Sequence, residues 1–133
     1  TFIALMTSLI EKTGPQAGTK EHQNALKLRQ ELEDEFRELL GDDGVFLYPT
    51  HPTGAPYHNE PIVRMHNFNY TAIINVLGFP ATHIPMGLNY EGLPIGIQVI
   101  SNWNNDRLCL AVAEELERKF GGWIDPSTNK KEN

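Results

Sequence analysis

This 133-residue sequence has one cysteine, only three serines and no long apolar run, and each scarcity excludes something. With Cys109 alone, no internal disulfide framework can form, and an intracellular, reducing compartment is expected. No stretch approaches the roughly 20 consecutive apolar residues that cross a bilayer as a helix. Positive charge is also short: 11 Lys and Arg stand against 17 Asp and Glu, a net charge of -6. Phosphate backbones are held by clustered cations, so no nucleic-acid partner is expected. Ser8, Ser101 and Ser127 are scattered, none in a glycine- and serine-rich loop. A nucleophilic serine needs a base within hydrogen-bond reach and donors for the developing oxyanion. No local spacing supplies that arrangement, and no catalytic residue is assigned.

What is present is a chain with 40% hydrophobic residues, enough for the core of one ordinary domain. In Phe2–Ile10, the residues Ile3, Met6 and Ile10 fall on one helical stripe, which Thr13-Gly14-Pro15 and Ala17-Gly18 break. A second helix is expected from about Lys20 to Leu40. Its apolar row is Ala25, Leu28, Leu32, Phe36 and Leu39, and Gly41 follows as the residue that closes it in a left-handed conformation. Val45-Phe46-Leu47-Tyr48 reads as a buried strand closed by Pro49, and residues 49–61 hold four prolines and read as an ordered loop. A short helix over Tyr70–Leu77 ends at Gly78 and Pro80. Thr82–Met86 and Ile95–Ser101 read as strands joined through a turn at Asn89–Gly92. The last helix has Leu108, Val112, Leu116 and Phe120 in one row and Cys109 and Ala113 beside it, with Asn104 or Asn105 as its cap and Gly121-Gly122 as its stop. Ser127–Asn133 is a polar tail. The order is α/β, and the unbroken apolar strand Val45–Tyr48 points to a sheet covered on both faces, as in a larger protein. The start at Thr1 rather than Met agrees with a piece of a longer polypeptide.

Individual residues carry further expectations. Gly78 and Pro80 read as shaping a helix-to-strand turn, and Gly92, Pro94 and Gly96 as setting the entry to the long strand. Gln98, a polar amide on an apolar strand, needs partners if buried and is expected to hold a neighbouring loop; substrate contact is the lesser reading. Asn75 is expected to tie the turn near Gly78. His51, His58, Glu60 and His66 are the rival constellation, but their spacing matches no compact zinc motif, so no metal is assigned. Cys109, within an apolar row, reads as core.

The order of segments carries a resemblance. Asn75-Val76-Leu77-Gly78-Phe79-Pro80-Ala81, Pro85-Met86-Gly87 and Gly92-Leu93-Pro94-Ile95-Gly96-Ile97-Gln98-Val99 resemble the C-terminal portion of the amidase signature family. Gly44-Val45-Phe46-Leu47-Tyr48-Pro49, Phe68-Asn69-Tyr70-Thr71 and Leu116-Glu117-Arg118-Lys119-Phe120-Gly121-Gly122-Trp123 are similar to its fatty-acid amide hydrolase branch. The likeness runs from about Leu9 to Pro126. It implies the C-terminal part of the amidase signature fold, a mixed sheet covered by helices on both faces, with residues 1–126 an incomplete amidase domain and 127–133 the tail. It implies a serine amidohydrolase that cleaves fatty acid amides with a serine nucleophile, a second serine in a cis peptide and a lysine base. All three lie in an N-terminal signature this sequence does not contain, so the chain alone is expected to be inactive. The implied partners are the remainder of the amidase domain, a lipid amide substrate and a membrane surface; no cofactor is implied. Phe2, Met6 and Ile10 would then line an acyl channel or touch lipid, against the plain alternative of a core helix, and Asn75, Gly78, Pro80, Gly92, Pro94, Gly96 and Gln98 would supply scaffolding and pocket wall. The competing function is a non-catalytic binding or structural module that keeps the amidase C-terminal fold.

Overall fold

The structure, a computed structural model, describes residues 14–125. The Phe2–Ile10 segment and the Ser127–Asn133 tail therefore lie outside the described residues. The chain divides into two compact units, Thr1–Glu35 and Phe36–Asn133.

Helix α1, Lys20–Leu40, runs across that division. The Thr19 hydroxyl accepts the His22 N–H at 3.3 Å and so satisfies a donor the first turn leaves free. At the far end Gly41 takes φ 56° and its N–H reaches the Arg37 carbonyl at 3.0 Å, closing the helix as its glycine suggests. The expected apolar row is corrected in part. Leu28 is 65% and Leu39 71% exposed, while Glu33 and Leu40 are buried. The covered line runs through Arg29, Leu32, Glu33, Phe36 and Leu40, and Glu33 can occupy it because Arg29 pairs with its carboxylate at 3.3 Å, one turn away. A hydrophobic count could not see that a charged residue takes an apolar place.

In the second unit, strand β1 (Val45–Pro49) is followed by the irregular residues 50–59 and by a one-turn helix, α2 (Glu60–Val63). Pro61 sits in its first turn, where the missing N–H has no partner to lose. A 3-10 turn, Met65–Phe68, leads into α3 (Asn69–Leu77), stopped by Gly78 at φ 77°. Strands β2 (Ala81–Leu88) and β3 (Pro94–Ser101) are longer than the sequence reading by one to three residues. Helix α4, Asp106–Phe120, completes the order.

The sheet runs β1-β3-β2, and both pairings are antiparallel. The register sets Leu47 opposite Val99 and Tyr48 opposite Gln98 on one side, and His83 opposite Gln98 and Ile84 opposite Ile97 on the other. Alternation then sorts the side chains onto two faces. One face packs on α4, where Ile84, Val99 and Cys109 form a buried cluster flanked by Val45, Met86, Val112 and Leu116. The row drawn through Phe120 stops short, because that ring is 57% exposed and Cys109 takes the centre of the contact.

The opposite face is aromatic. Phe46 lies edge-on to Phe36 at 5.7 Å and stacks on Tyr48 at 5.6 Å, and Tyr48 stacks on Tyr70 of α3 at 5.3 Å. Phe36 also meets Phe79 at 5.8 Å, Phe79 meets Trp103 at 6.1 Å, and the Arg37 guanidinium lies 4.9 Å over the Trp103 ring. Helices thus cover both faces, the end of α1 and α3 on one and α4 on the other.

The expected asparagine cap is also corrected. Asn105 holds the cap position of α4 but its side chain makes no capping bond. Its Nδ2 donates instead to the Asp42 carbonyl at 2.6 Å, and the Asn102 Nδ2 donates to the Gly41 carbonyl at 2.7 Å. The two amides clasp the turn after α1 onto the start of α4.

Candidate functional site

The central strand β3 organises the polar groups of the aromatic face. Gln98 is 4% exposed, and its Nε2 donates to the Pro49 carbonyl at 3.2 Å and to the Tyr70 carbonyl at 2.9 Å. One side chain thereby fixes the end of β1 to the start of α3. Two residues before it, Gly96 lies under the His83 imidazole: a Cβ at Gly96 would fall 2.7 Å from His83 Nε2 and 2.5 Å from the Ile84 carbonyl oxygen. On the same ring, His83 Nδ1 meets Thr50 Oγ1 at 2.7 Å. This bond spans the sheet from β2 to the residue that follows β1.

Two clefts adjoin these groups, and a third lies past Phe79. A cleft of about 260 Å³ brings Thr71, Asn75 and Gln98 together with Thr50 and His83. A larger one, about 610 Å³, opens on the other side of the Thr50–His83 bond, between the 50–56 loop, Pro85, Pro94, Gly96 and Trp123. The third, about 380 Å³, holds Gly78, Pro80 and Trp103. Six of the seven expected pocket-wall positions are therefore spread over three clefts, and Gly92 lies in none of these. Gly92 serves the β2–β3 turn at φ 80°, where the Asn89 Oδ1 accepts the N–H groups of Glu91 and Leu93, both at 2.9 Å.

Asn75 differs from its expected role. Its Nδ2 donates to the Thr71 carbonyl at 3.1 Å, one turn back along α3, and the Gly78 turn closes on backbone bonds to the Ile74 carbonyl. A residue four positions before a side-chain amide on a helix offers it a nearer carbonyl than the turn does. Pro80 contributes a carbonyl, which accepts the Ser101 N–H at 3.3 Å. Phe2, Met6 and Ile10 lie outside the described residues.

The described nucleophile and metal candidates do not assemble into a centre. The Ser101 hydroxyl is fully buried, donates to the Asn105 carbonyl at 2.9 Å and touches Cys109 Sγ at 3.0 Å, so its bonds go to a carbonyl and a thiol. His51 Nδ1 meets the Thr53 carbonyl at 2.9 Å, and Glu60 accepts the Tyr57 N–H at 3.0 Å while pairing with Arg64. Among the described residues no group of three His, Cys, Asp or Glu side chains converges. Sequence reasoning missed His83 and Thr50. The available signal was the glycine at 96, two residues from Gln98 on a strand, since an isolated strand glycine marks a close approach.

Comparison with known proteins adds the context. A family model described as Amidase matches residues 4–110. The chain is 50% identical over 107 residues to human fatty-acid amide hydrolase 2, covering 80% of this chain and 20% of that protein. It is 44% identical over 126 residues to fatty-acid amide hydrolase 2-B of Danio rerio, covering 95% of this chain and 23% of that one. The crystal structure of the A subunit of glutamyl-tRNA(Gln) amidotransferase from Thermotoga maritima superposes with a TM-score of 0.63 at 25% identity, over 88% of this chain and 25% of that one. The chain spans about a fifth of the length of the two hydrolases.

Proposed function

The chain belongs to the amidase family, and on that premise we propose that it is the C-terminal portion of a serine amidohydrolase acting on fatty acid amides. The observation that carries this reading is the 50% identity over 107 residues to a fatty-acid amide hydrolase, against 32% over 96 residues to the A subunit of a glutamyl-tRNA(Gln) amidotransferase from Neisseria meningitidis. In this reading the nucleophilic serine, its cis-peptide serine partner and the lysine base come from the preceding part of the polypeptide. The described strands and helices complete the sheet, and the apolar Phe2, Met6 and Ile10 line the acyl channel or meet a membrane surface. No described side chain performs the acyl transfer. The work of this region is positional: it holds walls in place around chemistry supplied elsewhere.

An activity-based fluorophosphonate probe tests the division of labour. The full-length protein is expected to label on serine, and the 133-residue chain is expected to stay unlabelled. Labelling of the short chain would assign the nucleophile to Ser8, Ser101 or Ser127 and overturn the proposal. The channel role has its own test. Met6→Asp with Ile10→Asp in the full-length protein is expected to lower hydrolysis of a long-chain amide by about tenfold or more, because each buried CH₂ group is worth about 0.8 kcal/mol. Hydrolysis of acetamide-sized substrates should change little. Equal loss for both would remove the channel role.

A further inference from the structure

We infer that the small cleft beside α3 is a site for a primary ammonium group, held by the side-chain oxygens of Thr71, Asn75 and Gln98. The inference goes beyond the amidohydrolase reading and does not depend on it. Thr71 and Asn75 stand one turn apart on α3, and Gln98 lies on the central strand β3. The cleft, about 260 Å³, is smaller than the roughly 300–1,000 Å³ of drug-sized pockets and suits a compact group. Ile74 and Phe79, both buried, supply its apolar side.

The hydrogen bonds already made decide what is left to bind. The Thr71 hydroxyl donates to the Phe68 carbonyl at 3.1 Å. The Asn75 Nδ2 donates to the Thr71 carbonyl, and the Gln98 Nε2 gives its hydrogens to the Pro49 and Tyr70 carbonyls. Those bonds also fix which end of each amide is nitrogen, since a flipped amide would set oxygen against oxygen. Thr50 and His83, on the same wall, are paired with each other. Among the described residues nothing donates to Thr71 Oγ1, Asn75 Oδ1 or Gln98 Oε1, and these three side chains keep a single unspent N–H, the second on Asn75.

That surplus of acceptors selects the ligand. A carboxylate or phosphate would bring further oxygens and find no counter-charge, because no Lys or Arg lines the cleft. A hydroxyl offers one hydrogen and a carboxamide two, whereas an ammonium offers three and no lone pair. Hydrogen bonds from a charged donor are also the stronger kind. Gln98, 4% exposed and tied at its nitrogen, is a fixed acceptor rather than a wandering surface chain. The same chemistry has two sources: a free small amine, or the Nζ of a lysine in the remainder of the polypeptide.

Thermal unfolding of the full-length protein tests this, with methylammonium chloride exchanged for tetramethylammonium chloride at constant ionic strength. Methylammonium, which carries three N–H donors, should raise Tm, and tetramethylammonium, which has none, should not. Thr71→Val removes one acceptor and should raise the methylammonium concentration needed for a given shift about tenfold. Asn75→Asp sets a carboxylate there and should lower it about fivefold, an opposite change that poor folding cannot mimic. If a lysine of the polypeptide fills the cleft, methylammonium gives no shift. Acetic anhydride labelling read by mass spectrometry should then find one lysine slow to react in the parent and about tenfold faster in Thr71→Val. Either result supports the site and identifies its source. An equal shift with both cations overturns the inference, as does a methylammonium shift that neither variant alters. So does the absence of both a shift and a shielded lysine.

Discussion

Replacing Gly96 with alanine is expected to destabilise the protein by about 3 kcal/mol and to lower its unfolding temperature by about 10 °C. The reason is local and geometric. Gly96 does not need a left-handed backbone; it needs the absence of a side chain, because the added Cβ would lie 2.7 Å from His83 Nε2 and 2.5 Å from the Ile84 carbonyl oxygen. The imidazole can swing away at the cost of its bond to Thr50, but the carbonyl belongs to the neighbouring strand and moves only with the sheet. A His83→Ala change in the Gly96→Ala background should therefore recover only part of the loss. Gly92→Ala is the control: it meets no atom within 4 Å, so only its positive φ opposes the change, at about 1 kcal/mol. Differential scanning calorimetry of the three variants checks the order. A Gly96→Ala protein that melts like the parent would show that the His83–Gly96 contact is not maintained.

The second large effect is expected at Gln98. Gln98→Leu keeps the volume but removes the donor shared by the Pro49 and Tyr70 carbonyls. A buried acceptor left without a partner costs about 1–3 kcal/mol, so losing both bonds should cost about 2–4 kcal/mol. Gln98→Glu should be at least as damaging, because a carboxylate would set an acceptor against two acceptors. Urea unfolding of both variants, with an unchanged slope, is the measurement. A cost under about 1 kcal/mol for Gln98→Leu would show that water or another group serves those carbonyls. The same amide lines the smaller cleft, so the variant is also expected to loosen α3 from β1.

Much of the fold was legible because its signals are local. Gly41, Gly78 and Gly121 end their helices where punctuation by glycine places them, all at positive φ. The first strand was located as a short apolar run closed by Pro49, and the other two by the turn at Asn89–Gly92 that joins them. What was not legible depends on partners distant in sequence or on pairing that a hydrophobic pattern ignores. Glu33 replaces an apolar residue only because Arg29 pairs with it, and Asn105 leaves its cap for a carbonyl 63 positions away. Of the candidate site, the sequence marked Gly96 as a turn position and Gln98 as a polar amide on an apolar strand that needs partners, which it has in the Pro49 and Tyr70 carbonyls. His83 gave no such warning: on its own a histidine in a strand says nothing, and its neighbours Thr50 and Gly96 come together only through the β1-β3-β2 order. The family, by contrast, was legible from the fixed series of glycine and proline segments.

The clasp formed by Asn102 and Asn105 imposes a chemical constraint on the protein's lifetime. Each amide nitrogen points at a backbone oxygen of Gly41 or Asp42. Slow spontaneous deamidation, which turns asparagine into aspartate, would exchange that donor for an anionic oxygen facing another oxygen. Ageing at either position would therefore convert a fastening into a repulsion and release the turn that α1 and α4 share.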